Sequence, residues 1–242
     1  MRTKPFGCCL RGHRSLLPIS RFSLYGNPNI GAFTFATDKF ALIPPDMPPG
    51  TAEDLSSTLG VPAYRTTVGG SVLLGIFLTG NSRGVIVPNS TTEEEISLIE
   101  REVRVPVAIY SGKKNALGNM ILVNDRVAMV GPGIDPDLKA LVAKHLDVKV
   151  HEGRIATLSM PGVCAVINNR GVVAHPLTSE EEMATLGELF NIPVDVSTIN
   201  CGFPYLRVGM TANSHGAVVG EETTGPEMAR IESSLGFMGD RR

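Results

Sequence analysis

Asn81-Ser82-Arg83-Gly84, Asn124-Asp125-Arg126-Val127, Asn168-Asn169-Arg170-Gly171 and Asn213-Ser214-His215-Gly216 are copies of one hairpin turn, and Thr37-Asp38-Lys39-Phe40 is a fifth. Counted from Thr37, the copies start 44, 43, 44 and 45 residues apart. A regular period of this length means that one supersecondary unit is copied and packed against itself. It also gives an internal control. A residue type present in every copy reads as structural, and one present in a single copy is a candidate for function.

Other marks keep the register. An apolar-Pro/Lys-apolar step starts a strand at Val61-Pro62-Ala63, Val105-Pro106-Val107, Val148-Lys149-Val150 and Ile192-Pro193-Val194. Gly31, Gly75, Gly118 and Gly162 each stand six residues before a turn. Short apolar runs follow the turns, such as Val85-Ile86-Val87 and Ala217-Val218-Val219, and read as buried strands. Thr51, Thr91, Asp135, Thr178 and Thr224 are then expected as helix N-caps. Glu94, Glu181 and Glu227 complete capping boxes, Asp54 does so more weakly, and Pro136 suits a first helical position. Apolar residues recur at helical spacing behind the caps, as in Ile96, Ile99 and Val103. Each unit is thus three strands and a helix, an α+β pattern.

The chain ends favour a ring over a solenoid. The fifth copy stops after its helix, near Phe237, without a closing strand. A spare strand-like segment, Arg21-Phe22-Ser23-Leu24-Tyr25, precedes the first copy, in the expected register of Tyr64 to Val68. If it completes the fifth unit, the circle closes and leaves no open sheet edge. A solenoid would need polar capping units at both ends, and the sequence has none.

The formal charge is −2; the first 20 residues hold Arg2, Lys4, Arg11 and Arg14 and no acid, so the remainder carries −6. Bulk positive charge for generic nucleic-acid binding is therefore lacking. The most apolar run, Ser71 to Leu78, is too short to span a bilayer. Cys8, Cys9, Cys164 and Cys201 show no metal-ligand spacing and read as free thiols in an intracellular chain, with no metal or cofactor expected. Residues 1–20 read as an extension, disordered or preceding the true start, because no amphipathic period supports a transit peptide. Residues 21–238 form the repeated domain and residues 239–242 a short tail.

Several motifs in fixed order resemble the translation initiation factor 6 family, its archaeal branch most of all. They are Gly26-Asn27-Pro28-Asn29-Ile30-Gly31, Arg65-Thr66-Thr67-Val68-Gly69-Gly70-Ser71, Gly80-Asn81-Ser82-Arg83-Gly84, Ala116-Leu117-Gly118-Asn119, Leu122-Val123-Asn124-Asp125 and Glu222-Thr223-Thr224-Gly225-Pro226-Glu227. The resemblance runs from about Phe22 to Phe237. It implies the pentein fold, five αβ units around a pseudo-fivefold axis. It also implies a cytoplasmic, monomeric, non-catalytic factor that binds the large ribosomal subunit on its intersubunit face and blocks joining of the small subunit, with a part in subunit maturation. Ribosomal protein and rRNA contacts are expected, and membrane or DNA contacts are not. Two features depart from the family: the N-terminal extension, and Arg207 at the fifth copy of the repeated glycine. If that place is crowded, Arg207 must reach solvent or pair with an acid.

The repeats sort the candidates. Turn Asn residues bond their own backbone and read as structural, although the resemblance keeps Asn124 and Asp125 among the ribosome-binding candidates. Asn119 differs, because its equivalents Ala32, Ile76, Val163 and Val208 are apolar. The resemblance puts the Leu-Gly-Asn segment near the ribosome-contacting surface. Lys39, Arg83, Arg126, Arg170 and His215 make the third turn position basic in every copy, a crown that suits rRNA phosphates or simply exposed tips. The acidic helix starts at Glu93-Glu94-Glu95 and Glu180-Glu181-Glu182 read as a solvated face matched to the helix dipole. The competing reading is a pentein enzyme acting on guanidino groups, with Cys201 or Cys164 as nucleophile and His145, His151 or His175 as base.

Overall fold

The computed structural model describes residues 18–239. The described residues open on strand β1 (Ile19–Phe22). The first unit is a short helix α1 (Ile30–Phe33), an inner strand β2 (Phe35–Ala36), a middle strand β3 (Ala41–Ile43), a long helix α2 (Pro49–Leu59) and an outer strand β4 (Ala63–Arg65). The second repeats this as α3 (Leu74–Phe77), β5 (Thr79–Gly80), β6 (Val85–Pro88), α4 (Glu93–Val103) and β7 (Val107–Tyr110). The third is α5 (Leu117–Met120), β8 (Ile121–Val123), β9 (Val127–Val130), α6 (Pro136–His145) and β10 (Lys149–Glu152). The fourth is α7 (Pro161–Cys164), β11 (Ala165–Ile167), β12 (Val172–Ala174), α8 (Glu180–Phe190) and β13 (Val194–Val196). The fifth is α9 (Leu206–Gly209), β14 (Met210–Ala212), β15 (Ala217–Gly220) and α10 (Gly225–Ser234).

In every unit the inner strand pairs antiparallel with the middle one, and the middle strand pairs parallel with the outer one. The fifth unit has no outer strand of its own. Strand β1 supplies it, pairing parallel with β15 from Ile19↔Ala217 to Phe22↔Gly220. The ring closes as the sequence anticipates, in the pentein arrangement. The closing strand starts earlier than expected, however, and Ser20 rather than Arg21 matches Tyr64. Residues 1–17 and 240–242, with Cys8 and Cys9, lie outside the described residues.

The expectation of no open sheet edge is corrected. Closure buries the inner edges around the axis, but the sheets remain five separate three-stranded blades. Their outer strands line the rim as edges.

Each long helix buries its apolar stripe on its own blade, as Ile99 and Val103 do for α4 and Leu186 and Phe190 for α8. Burying one such side chain contributes about 1.5–3 kcal/mol. The five cores interlock, because each one borrows from the preceding unit. Phe35 and Leu42 of the first unit sit in the second core, and Val218 of the fifth sits in the first. The seam between last and first units is therefore packed like the others.

Two caps are corrected by one residue. Helix α4 is capped by Thr92 with Glu95, and α8 by Ser179 with Glu182. Thr91 and Thr178 are buried and donate their hydroxyls backward to the Pro88 and His175 carbonyls, which leaves the next hydroxyl to cap. Helix α2 starts on Pro49 ahead of Thr51, without a side-chain cap. Asp135 with Pro136, and Thr224 with Glu227, are as expected.

The repeated glycines lie in short helices, a second helix in each unit that the pattern of three strands and one helix does not include. A side chain at Gly75 would run into the Gly31 carbonyl, one at Gly118 into the Gly75 carbonyl, and one at Gly162 into the Gly118 carbonyl. Gly31 packs in the same way on the Arg207 carbonyl. The short helices thus stack backbone on backbone around the axis, an approach that needs a missing Cβ.

Candidate functional site: the two ends of the ring

Chain direction separates two ends. Inner strands run from the short helices to the hairpin turns, and middle strands run back. One end carries the turns and the C-termini of the long helices. The other carries the short helices, the loops before them and the N-termini of the long helices.

At the turn end, Asn81, Asn124, Asn168 and Asn213 form a circuit. Each side-chain oxygen accepts from the N–H two residues on, at 2.7–2.9 Å. Each side-chain nitrogen reaches the next turn: Asn81 to the Asn124 carbonyl, Asn124 to Asn168, Asn168 to Asn213 and Asn213 to Thr37. Three of them also donate to the last carbonyls of a long helix, at Leu146, Leu235 and Leu59. This satisfies groups a helix end leaves bare. Asn124 is 5% exposed and faces the axis, so its amide is spent inside the ring.

The second turn positions close the mouth. Asp125 accepts from the Ser82 N–H and hydroxyl, and Asp38 does the same for Ser214. The Asn169 side-chain nitrogen bridges both carboxylates, at 2.8 Å to Asp38 and 2.7 Å to Asp125. Asp125 is half-buried in this network.

The basic crown exists, and most of it is anchored. Lys39, Arg83, Arg126 and His215 are exposed, and Arg170 is half-buried. Arg83 donates to the Asp125 carbonyl at 2.7 Å and the Asp147 carbonyl at 2.8 Å, just beyond α6. Arg126 donates to the Asn169 carbonyl at 2.8 Å. His215 packs on Gly60 at the end of α2, and Arg170 on Gly236 beyond α10. A cation at a helix C-terminus meets the negative end of its dipole. The crown therefore has a local task that single-chain reading missed, because each partner belongs to the next unit.

The opposite end is held by carboxylates. Glu95 accepts from the Gly69 and Gly70 N–H groups, Glu182 from Ala156 and Thr157, and Glu227 from Cys201 and Gly202. Asp46 and Asp135 do comparable work through the Tyr25 and Tyr110 hydroxyls. Each staples a loop to the start of the following long helix. Burial alone would raise the Glu227 pKa. Hydrogen bonds from Thr224, Thr198 and Gly202 outweigh it and hold the value down to about 2. The solvated-face reading of these acids is thus corrected for Glu95 and Glu182.

Asn119 lies at this end, an inner strand's length from the turn candidates. It is half-buried, and its side chain makes no hydrogen bond among the described residues. The loops beside the short helices also expose Tyr25, Met160 and Phe203, at 51%, 49% and 37%. Arg207 is half-buried here and pairs with no acid among the described residues; its guanidinium lies 6.0 Å from the centre of the Phe35 ring. Burial pushes its pKa down to about 10. The ring face offers partial compensation.

Among the described residues, no cysteine and histidine come together as a nucleophile–base pair. Cys164 is fully buried, and burial pushes its thiol up to about 11, away from a reactive thiolate. Cys201 is exposed. No cysteine–histidine hydrogen bond occurs among the described residues. His145 bonds the Pro106 carbonyl, and His175 accepts from the Leu177 N–H. No cluster of metal-ligating side chains occurs among the described residues.

Residues 19–234 match the model of the eIF-6 family. The chain is 38% identical to translation initiation factor 6 of Haloquadratum walsbyi over 218 residues, covering 90% of this chain and 96% of that protein. It is 36% identical to the factor of Methanosarcina mazei over 220 residues, covering 91% and 99%, and 37% identical to that of Pyrococcus horikoshii over 225 residues, covering 91% and 99%. Among solved structures, a DDAH from Pseudomonas aeruginosa complexed with citrulline aligns at TM-score 0.45 and 12% identity over 69% of this chain and 68% of that one.

Proposed function

The chain belongs to the eIF-6 family, and from that premise we propose that it binds the large ribosomal subunit on its intersubunit face and prevents association with the small subunit. The observation that carries this reading is the family match across the whole ring. We assign the docking end to the short helices. Asn119 is the feature that singles it out, since it replaces an apolar residue of the other units and keeps its amide unspent. The exposed Tyr25, Met160 and Phe203 give the same end apolar contact area for a ribosomal protein. Lys39, Arg83, Arg126, Arg170 and His215 serve as secondary phosphate contacts to rRNA, and for Arg83, Arg170 and His215 this comes beside their work at helix ends.

The factor acts as a monomer in the cytoplasm and without catalysis. No helix among the described residues is long and apolar enough to cross a membrane. Sedimentation with purified subunits tests the reading. The protein should travel with the large subunit and reduce the joined-ribosome peak. Travel with neither subunit, or with the small one alone, would overturn it.

A further inference from the structure

The five rim edges are not equivalent: a side chain closes the second blade's, whereas no side chain of the described residues hydrogen-bonds the outward N–H groups of the third blade or of the first. Backbone groups alternate along an outer strand. The Gly153 N–H bonds the Val130 carbonyl at 2.9 Å, so Lys149, His151 and Gly153 turn toward β9. Val150 and Glu152 therefore turn their backbone groups outward. In the second blade the equivalent outward N–H, that of Val107, is closed by Glu100 at 3.0 Å. Ala143 stands in the place of Glu100, the same distance behind the helix cap, and closes nothing.

A shallow, open groove lies between α6 and β10. Ala143, Val148 and Val150 form its apolar floor, and Lys139, Lys149 and His151 its rim. Lys149 is particular to this blade, since the other four begin their outer strand after Pro18, Pro62, Pro106 or Pro193. Lys139 is paired with Glu152 at 2.6 Å, while Lys149 has no ion partner among the described residues. No copy of the chain needs this edge, because the ring closes elsewhere through β1 and β15.

We propose that the α6–β10 groove binds an extended acidic peptide of a partner protein, which adds a fourth strand to the third blade. Its backbone pairs with the outward groups of Val150 and Glu152, its small apolar side chains meet Ala143 and Val148, and its carboxylates meet Lys149. Edge addition of this kind takes affinity from main-chain hydrogen bonds and specificity from alternate side chains. Lys149, the cation of this rim without an ion partner among the described residues, decides for an acidic segment. The inference stands on the rim and does not rest on the ribosome reading.

A fluorescein-labelled hexapeptide of alternating Glu and Val is the probe, with alternating Lys and Val as its control. Anisotropy should show saturable binding of the acidic peptide alone. Amide shifts in isotope-labelled protein should centre on Val150 and Glu152. Ala143→Glu installs the closure of the second blade and should weaken binding by about tenfold or more, the scale of one blocked edge hydrogen bond. Its melting temperature should stay unchanged, because position 143 lies on the open side of α6. Absence of saturable binding, equal binding of the Lys-Val peptide, or full binding to the Ala143→Glu variant would overturn the proposal. So would self-association through β10 that excludes the peptide.

Discussion

The side-chain amide of Asn213 donates to the carbonyl of Thr37 at 2.9 Å, and there the circuit of turn amides ends. Thr37 has a hydroxyl, which accepts from the Lys39 and Phe40 N–H groups but does not reach the second unit. Thr37→Asn would keep those bonds and offer an amide toward the Asn81 carbonyl. A gain of about 0.5–1.5 kcal/mol is expected, the net worth of one internal hydrogen bond. Removing an existing link should act in the opposite sense. Asn168→Ala leaves the Asn213 and Leu235 carbonyls bare and should cost about 1–3 kcal/mol. Urea unfolding of both variants checks the pair, and equal midpoints would sink the idea of a coupled circuit.

The glycine stack predicts a sharp contrast between two Gly→Ala substitutions. Gly118→Ala drives a methyl into the Gly75 and Leu78 carbonyls and should lose about 2 kcal/mol or more. Gly50→Ala, in the first turn of α2 with open space around it, should gain about 0.5–1 kcal/mol. Thermal melts of the two variants read the difference directly.

The loop staple at Glu227 predicts a pH dependence with a fixed sign. Its pKa is lowered in the folded state, from 4.5 to about 2. The stabilisation is therefore complete above the unfolded value and is lost as pH falls from 4.5 toward about 2. Glu227→Gln should be less stable than the parent at neutral pH, with the gap narrowing across that window. A gap that stays constant down to about pH 2 would place the effect elsewhere.

For the docking end, Asn119→Ala should weaken large-subunit binding by about 5- to 30-fold, the range of a single interface contact. The unfolding midpoint should stay level, because the amide has no internal partner among the described residues. Arg83→Glu together with Arg126→Glu should first lower stability, since both guanidinium groups hold carbonyls of neighbouring turns. An unchanged affinity and salt slope in that variant would remove the crown from the binding surface.

The architecture was legible because its signals are local and repeated. Turn residues, apolar runs and one missing strand sufficed for a closed ring of five units. What escaped involved choices between neighbours or partners far along the chain. Thr91-Thr92 and Thr178-Ser179 each offer two capping hydroxyls, and burial of the first decides between them. The four-residue helices carry apolar sequences that also suit a strand. The tasks of Glu95, Glu182 and Arg83 were hidden because their partners lie in other segments, between 25 and 64 residues away for the bonds described. Arg207 was recognised as out of place, but the Phe35 ring beneath it comes from another unit and has no signature in sequence.

Strand β1 gives the fold a sense of time. The first strand of the described residues to leave the ribosome pairs with β15, the last strand among them. During synthesis the growing protein can stack blades one on another, yet it remains an open arc until the fifth unit emerges. Contacts between such distant segments are slow to form. The nascent chain therefore holds an unpartnered β1, and an uncovered Val218-side core, for the whole of its own translation. The step that closes the ring joins β1 to β15.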